Sequence, residues 1–303
     1  MTKPVIGFIG LGLMGGNMVE NLQNRGFELV VMDLNQDAVT AVLDRGNAKQ
    51  AGSPKELAEA SDIVMLCLTT SDVVEKVVYG DEGILAGIRE GSVLIDFGTS
   101  IPASTRKIGA DLAAKGAGMI DAPLGRTPAH AKDGLLNIMA AGDPETFEKV
   151  RPVLEEQGEN VFHLGALGAG HTTKLINNFM GMTTVCTMSQ AFAVADRAGV
   201  DRAQLYEIMS TGPSNSPFMT FCKNYAVDGV SDLGFSINNA NKDLGYFLTM
   251  VEDLGTRAEI AEGTSHNLNA AVAAGMGDGN VPEIFDYFLK LQSEAAQPNA
   301  VSA

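Results

Sequence analysis

Three groups of residues in this chain have types and spacings that could do chemistry. The first is Gly10-Leu11-Gly12-Leu13-Met14-Gly15, three glycines in GxGxxG spacing, followed by Asp33. In such a loop the first glycine permits a tight turn. The second lets backbone approach a pyrophosphate, and the third lets a helix pack against a strand. The spacing alone also fits an ordinary glycine turn. Asp33 ends the next apolar run, where a carboxylate can accept hydrogen bonds from an adenosine ribose and would repel a 2′-phosphate. No Lys or Arg follows it in "DLNQDA". The expectation is NAD, in preference to NADP.

The second group is Lys174 and Asn178, four residues apart and so on one face of a helix. A lysine near a helix N-terminus opposes the dipole, which also favours its neutral form. Lys174 could protonate and stabilise an alkoxide left by hydride transfer to an aldehyde, and accept the proton in the reverse direction. Asn178 could orient the substrate or the lysine. A solvated surface lysine is the competing reading. The third group is Gly125-Arg126-Thr127 in "DAPLGRTPAHAKDG" (121–134), a cation and a hydroxyl on a loop rich in turn formers. Arg offers a planar fork for oxyanions, Thr127 adds a hydroxyl, and Gly125 lets a backbone N–H come close. Such a loop can clamp a small anion. A surface arginine is the alternative.

These residues need a scaffold to hold them. Six short apolar runs, at 5–10, 28–33, 62–68, 92–98, 118–123 and 135–142, alternate with segments of helical spacing. That pattern predicts a Rossmann-type, doubly wound parallel α/β sheet with ligands beyond its strand ends. From 171 to 198 there is no proline and one glycine, so a helix about 40 Å long is expected. Further helices are expected near 201–211, 217–227, 239–254, 258–275 and 281–293. The predicted organisation is a dinucleotide-binding domain over 1–164, an all-helical substrate and oligomerisation domain over 165–296, and a flexible tail over 297–303.

Composition narrows the classes. A formal charge of −16 argues against a nucleic-acid partner and an anionic membrane, but not against a small anionic substrate. No run is apolar enough to span a bilayer, and no signal peptide is expected. Cys67, Cys186 and Cys222 have no paired spacing and read as reduced cytoplasmic thiols. No metal site is expected. The four histidines read as partly exposed or satisfied in the core, and Met180, Met182 and Met188 as core. A non-catalytic dinucleotide sensor would need no proton donor, and Lys174 argues against it.

The chain resembles the β-hydroxyacid dehydrogenases, the group of 3-hydroxyisobutyrate dehydrogenase. The likeness lies in "GFIGLGLMGGNMVENL" (7–22), "DAPLGRTPAHAKDGLLNIMAAG" (121–142), "GAGHTTKLINN" (168–178) and "NKDLG" (241–245). The resemblance implies Lys174 as the catalytic lysine and Asn178 as the asparagine that helps hold the substrate. It implies Lys242 as a lysine reaching toward nicotinamide and substrate, and Leu68 and Thr99 as cofactor neighbours. It also favours a homodimer or homotetramer. "LGRT" replaces the family's Ser-Gly-Gly after "DAPV", and Leu68-Thr69 replaces its Leu-Pro. "GRT" with "KLINN" resembles the sulfolactaldehyde reductase branch, which implies that Gly125, Arg126, Thr127, Asn177 and Asn178 bind a sulfonate. The expected reaction interconverts 3-sulfolactaldehyde and 2,3-dihydroxypropane-1-sulfonate. The alternative is a carboxylate substrate: 3-hydroxyisobutyrate, 4-hydroxybutyrate or tartronate semialdehyde.

Overall fold

A computed structural model describes residues 3–295. The expected tail at 297–303, and Ala296 before it, lie outside the described residues. The chain forms two compact units that divide between Lys174 and Leu175.

The first unit alternates strand and helix: β1 (Ile6–Ile9), α1 (Leu13–Asn24), β2 (Leu29–Met32), α2 (Gln36–Asp44), β3 (Ala48–Gln50), α3 (Pro54–Glu59) and β4 (Ile63–Leu66). Then follow α4 (Ser71–Tyr79), α5 (Ile84–Gly87), β5 (Val93–Asp96), α6 (Pro102–Ala113), β6 (Gly118–Asp121), β7 (Leu124–Gly125) and α7 (Pro128–Asp133). The unit continues with β8 (Leu136–Gly142), α8 (Pro144–Gln157) and β9 (Gly158–His163). The sheet order is β3-β2-β1-β4-β5-β6-β8-β7, with β9 on β8. From β3 to β6 every pair is parallel.

Side-chain alternation divides the core between the two faces of the sheet. Ile6, Phe8, Ile63, Met65, Val93 and Ile95 pack on α1 and α8 residues such as Met18, Leu22 and Phe147. Val64, Leu66 and Leu94 pack on Leu57, Val74 and Ile108 across the other face. Burial on both sides explains why these strands read as continuous apolar runs. The sixth run departs from the parallel expectation, because β8 pairs antiparallel with β6 and β7. The short, polar β3 (Ala-Lys-Gln), β7 and the mostly exposed β9 carry too little apolar signal to be read from sequence.

α9 (Ala169–Ala198) has 30 residues, about 45 Å. Its start belongs to the first unit because it is packed and bonded there. Asp121 Oδ1 and Oδ2 accept the backbone N–H groups of Gly168 and His171, both at 2.7 Å. A Cβ on Gly170 would lie 2.3 Å from the carbonyl of Met139. The unit division therefore falls inside this helix, whereas the sequence put it near 164, where the strand pattern stops.

The second unit continues α9 and adds α10 (Arg202–Ser210), α11 (Pro217–Ala226), α12 (Ile237–Asp253), α13 (Glu259–Ala271) and α14 (Ile284–Ala295). The expected helix over 258–275 ends early in a π turn, Val272–Met276, with Gly275 at φ 85°. Met182 and Met188 are buried in this unit's core, but Met180 is 60% exposed and is not a core residue. Among the described residues no helix is long and apolar enough to cross a membrane.

Candidate active site

The glycine loop leaves β1 and enters α1. Gly10 has φ 100°, and a Cβ there would lie 2.4 Å from the Cys67 carbonyl. A Cβ on Gly15 would sit 1.9 Å from the Gly10 carbonyl, so that glycine lets the helix close on its own loop. Gly12 differs: nothing lies within 4 Å of its Cβ position. It is the N-cap of α1 and supplies no side-chain cap to the first turn. That combination fits a dinucleotide pyrophosphate. Leu13 is 81% exposed beside it. Leu68, from the loop after β4, approaches Gly10.

Asp33 follows β2. Its Oδ2 accepts the N–H of Leu11 at 2.5 Å and its Oδ1 that of Asn35 at 2.8 Å. The carboxylate therefore fixes the glycine loop, a role that its position in the sequence did not suggest. Thr99 is half-buried just beyond the end of β5.

Lys174 lies in the second turn of α9, and its Nζ donates to the Leu124 carbonyl at 2.7 Å. The lysine is thereby held at the residue preceding Gly125-Arg126-Thr127. In that loop Arg126 has φ 77°, a left-handed conformation uncommon outside glycine. Both side chains of the expected clamp already have partners within the chain. Arg126 Nη1 donates to the Leu135 carbonyl at 2.7 Å and pairs with Glu159 Oε2 at 2.5 Å. The Thr127 hydroxyl bonds His130 Nδ1 at 2.7 Å. Both partners come from elements that fold back on the loop, α7 beside Thr127 and β9 beside Arg126.

Beneath the start of α9 lies a buried polar cluster that the sequence reading did not assign. His171, Asp96 and Asp121 are fully buried. His171 Nδ1 shares a hydrogen bond with Thr105 Oγ1 at 2.8 Å, and its ring nitrogens lie 3.7 and 3.8 Å from Asp96 and Asp121. Asp96 accepts from the Gly98 N–H and the Ser100 hydroxyl, both at 2.8 Å. Burial pushes the Asp121 carboxyl up, against the opposing effects of His171 and the two backbone N–H donors. The available signal was a carboxylate closing each of two apolar runs.

In the second unit Asn178 is buried and donates through Nδ2 to Asp243 Oδ2 at 2.7 Å. Lys242 Nζ lies 3.0 Å from Asp243 Oδ1, an ion pair off the hydrogen-bonding direction. Asn177 Nδ2 makes a long bond of 3.4 Å to Asn178 Oδ1. The structure thus joins Asn177, Asn178 and Lys242 through Asp243, a residue sequence reasoning did not place in the site. Lys242 and Asp243 sit in the second turn of α12, not at a helix start. Among the described residues no group of three or more His, Cys, Asp or Glu is arranged to hold a metal ion.

Comparison with known proteins covers both units. Residues 5–165 match the NAD binding domain of 6-phosphogluconate dehydrogenase. Residues 168–288 match the family described as NAD-binding of NADP-dependent 3-hydroxyisobutyrate dehydrogenase. The chain is 33% identical to 3-sulfolactaldehyde reductase of Escherichia coli (strain K12), over 90% of this chain and 91% of that one. It is 34% identical to a 3-hydroxyisobutyrate dehydrogenase of Pseudomonas aeruginosa, over 80% and 84%. A solved Mycobacterium tuberculosis 3-hydroxyisobutyrate dehydrogenase with L-serine superposes at TM-score 0.83 and 26% identity, covering 94% and 99%. The chain belongs to the β-hydroxyacid dehydrogenase family and is an NAD(P)-dependent oxidoreductase acting on a CH–OH group.

Proposed function

We propose that the chain is an NADH-dependent reductase of a short aldehyde carrying a sulfonate, with 3-sulfolactaldehyde giving 2,3-dihydroxypropane-1-sulfonate. The observation that carries this reading is the Lys174–Leu124 bond, which sets a proton donor beside the loop bearing Arg126. The first relative above supports the sulfonate. A bound nicotinamide supplies the hydride. Lys174 Nζ gives the proton to the carbonyl oxygen as it becomes an alkoxide and offsets its charge. In oxidation the neutral amine takes the proton back.

Gly10, Leu11, Gly12, Leu13, Met14 and Gly15 cradle the pyrophosphate, Asp33 holds the ribose and disfavours NADP, and Leu68 and Thr99 flank the nicotinamide. Gly125, Arg126 and Thr127 bind the anionic group. Asn177, Asn178 and Lys242 hold the substrate, and Lys242 also reaches toward the nicotinamide. A homodimer or homotetramer in the cytoplasm completes the reading.

A second reading, a carboxylate substrate, is favoured by one observation. Arg126 spends Nη1 on Glu159 and Leu135 and Thr127 its hydroxyl on His130, which leaves the Nε and Nη2 edge of the guanidinium, a two-pronged match for two carboxylate oxygens. The test is NADH oxidation with 3-sulfolactaldehyde, succinic semialdehyde, tartronate semialdehyde and methylmalonate semialdehyde, with NADPH in parallel. The sulfonate should lead in kcat/KM by orders of magnitude. A leading carboxylate would replace the substrate and leave the roles of Lys174 and the glycine loop standing.

A further inference from the structure

Arg126 is an expensive choice of residue at its position. Its φ of 77° suits glycine, and a side chain there strains the backbone. The side chain therefore has a task. In the structure its cation meets a carboxylate of the chain itself: Glu159 Oε2 lies 2.5 Å from Nη1. The Leu135 carbonyl takes a hydrogen bond from the same nitrogen. No other contact of the guanidinium is present among the described residues, so Nε and Nη2 keep donors to spare. The Glu159 side chain is 52% exposed and that of Arg126 29%. Such a pair is weak and open to exchange, unlike a buried one.

We propose that Glu159 is a specificity-determining residue, an internal anion that competes with the substrate's anionic group for the charge of Arg126. The inference rests on the reading of Arg126 as the anion anchor. A substrate anion then gains less from Arg126, whose charge Glu159 already partly offsets. Glu159 holds down affinity for anionic aldehydes and, by the same competition, helps the anionic alcohol leave. Uncharged aldehydes leave the pair intact and are indifferent to it.

The test compares wild type, Glu159→Gln and Arg126→Ala with 3-sulfolactaldehyde, methylmalonate semialdehyde and uncharged glyceraldehyde. Glu159→Gln should lower KM for the anionic aldehydes, and Ki for the alcohol product, by roughly two- to fivefold, the scale of a half-exposed pair. The kcat/KM for glyceraldehyde and the Kd for NADH should not move, which a merely structural effect would not spare. Arg126→Ala should raise KM for the anions. If it does, while Glu159→Gln leaves KM unchanged or raises it, Glu159 is a brace and the inference is overturned alone. If Arg126→Ala changes nothing, Arg126 is no anchor, and both the inference and the loop's assigned role fall.

Discussion

Gly12 and Gly15 allow the cofactor role of the glycine loop to be separated from its role in the fold. An alanine at Gly15 would place Cβ 1.9 Å from the Gly10 carbonyl, and real Cβ atoms stay at least 3.0 Å from such a neighbour. Loop or helix must therefore move by about 1.1 Å at least. The obstacle is backbone, which cannot rotate aside. Overpacking costs about 1–3 kcal/mol, and a clash this deep belongs at the upper end. The better helix propensity of alanine returns at most about 1 kcal/mol. A net loss of about 2 kcal/mol in a unit of this size lowers Tm by about 4–8 °C. An alanine at Gly12 meets nothing within 4 Å and keeps an ordinary φ of −66°. It should cost only about 0.5 kcal/mol at the N-cap. Its methyl would fill the space through which a pyrophosphate approaches, so NADH affinity should fall at least about tenfold. The assay is thermal unfolding by circular dichroism without cofactor, since bound ligand itself raises Tm, followed by NADH fluorescence titration. An unchanged Tm in Gly15→Ala would refute the packing argument. Unchanged NADH affinity in Gly12→Ala would refute the assignment of the open space.

Lys174→Met should lower kcat by about 10²–10⁴ with NADH binding retained, and near-normal turnover would remove Lys174 from the chemistry. Asp33→Ala should weaken NADH more than NADPH; equal losses would leave Asp33 only its bonds to Leu11 and Asn35. Asp243→Ala should raise substrate KM, because Asn178 loses its buried acceptor and Lys242 its ion pair. A lowered Tm with unchanged KM would reduce Asp243 to a structural group. Burial pushes the Cys186 and Cys222 thiols up to about 12, so the reactive thiolate is scarce until the pH nears that value. Both should resist a thiol reagent at pH 8 until the protein unfolds; fast labelling of the native protein would contradict their burial.

Sheet, helices and glycine loop were legible because they rest on local rules. Runs buried on both faces, such as Ile63–Leu66 and Val93–Asp96, look alike in any protein of this class. The GxGxxG spacing reports a turn whose sterics are its own. What could not be read depends on pairs distant in sequence. Asp121 with the start of α9 is separated by about fifty residues, and Asn178 with Asp243 by 65. Nothing local distinguishes these carboxylates from caps. The strands β3, β7 and β9 were missed because short or exposed strands need few apolar residues. The packing of the first unit runs ten residues past the expected edge near 164, because a helix has no local mark where one core hands over to another.

The substrate loop shows the limit most sharply. Residue types alone made Arg126 an anion clamp or a surface arginine, since a cation in a strongly acidic chain suggests a local purpose. The same acidity makes an internal partner easy to find, and Glu159 lies 33 residues away on a strand that sequence did not reveal. The left-handed backbone bears on whether the arginine is decoration or function. A surface ion pair worth at most about 1 kcal/mol does not by itself offset a conformation that costs a non-glycine residue about 1–2 kcal/mol, and the bond to the Leu135 carbonyl brings the two near balance. Glycine at 126 would give a more relaxed loop at the price of the pair. Arg126→Gly should therefore leave Tm unchanged or raise it while KM for an anionic aldehyde rises. A fall in Tm with unaltered KM would mean that the arginine serves the fold and that the anion is held elsewhere.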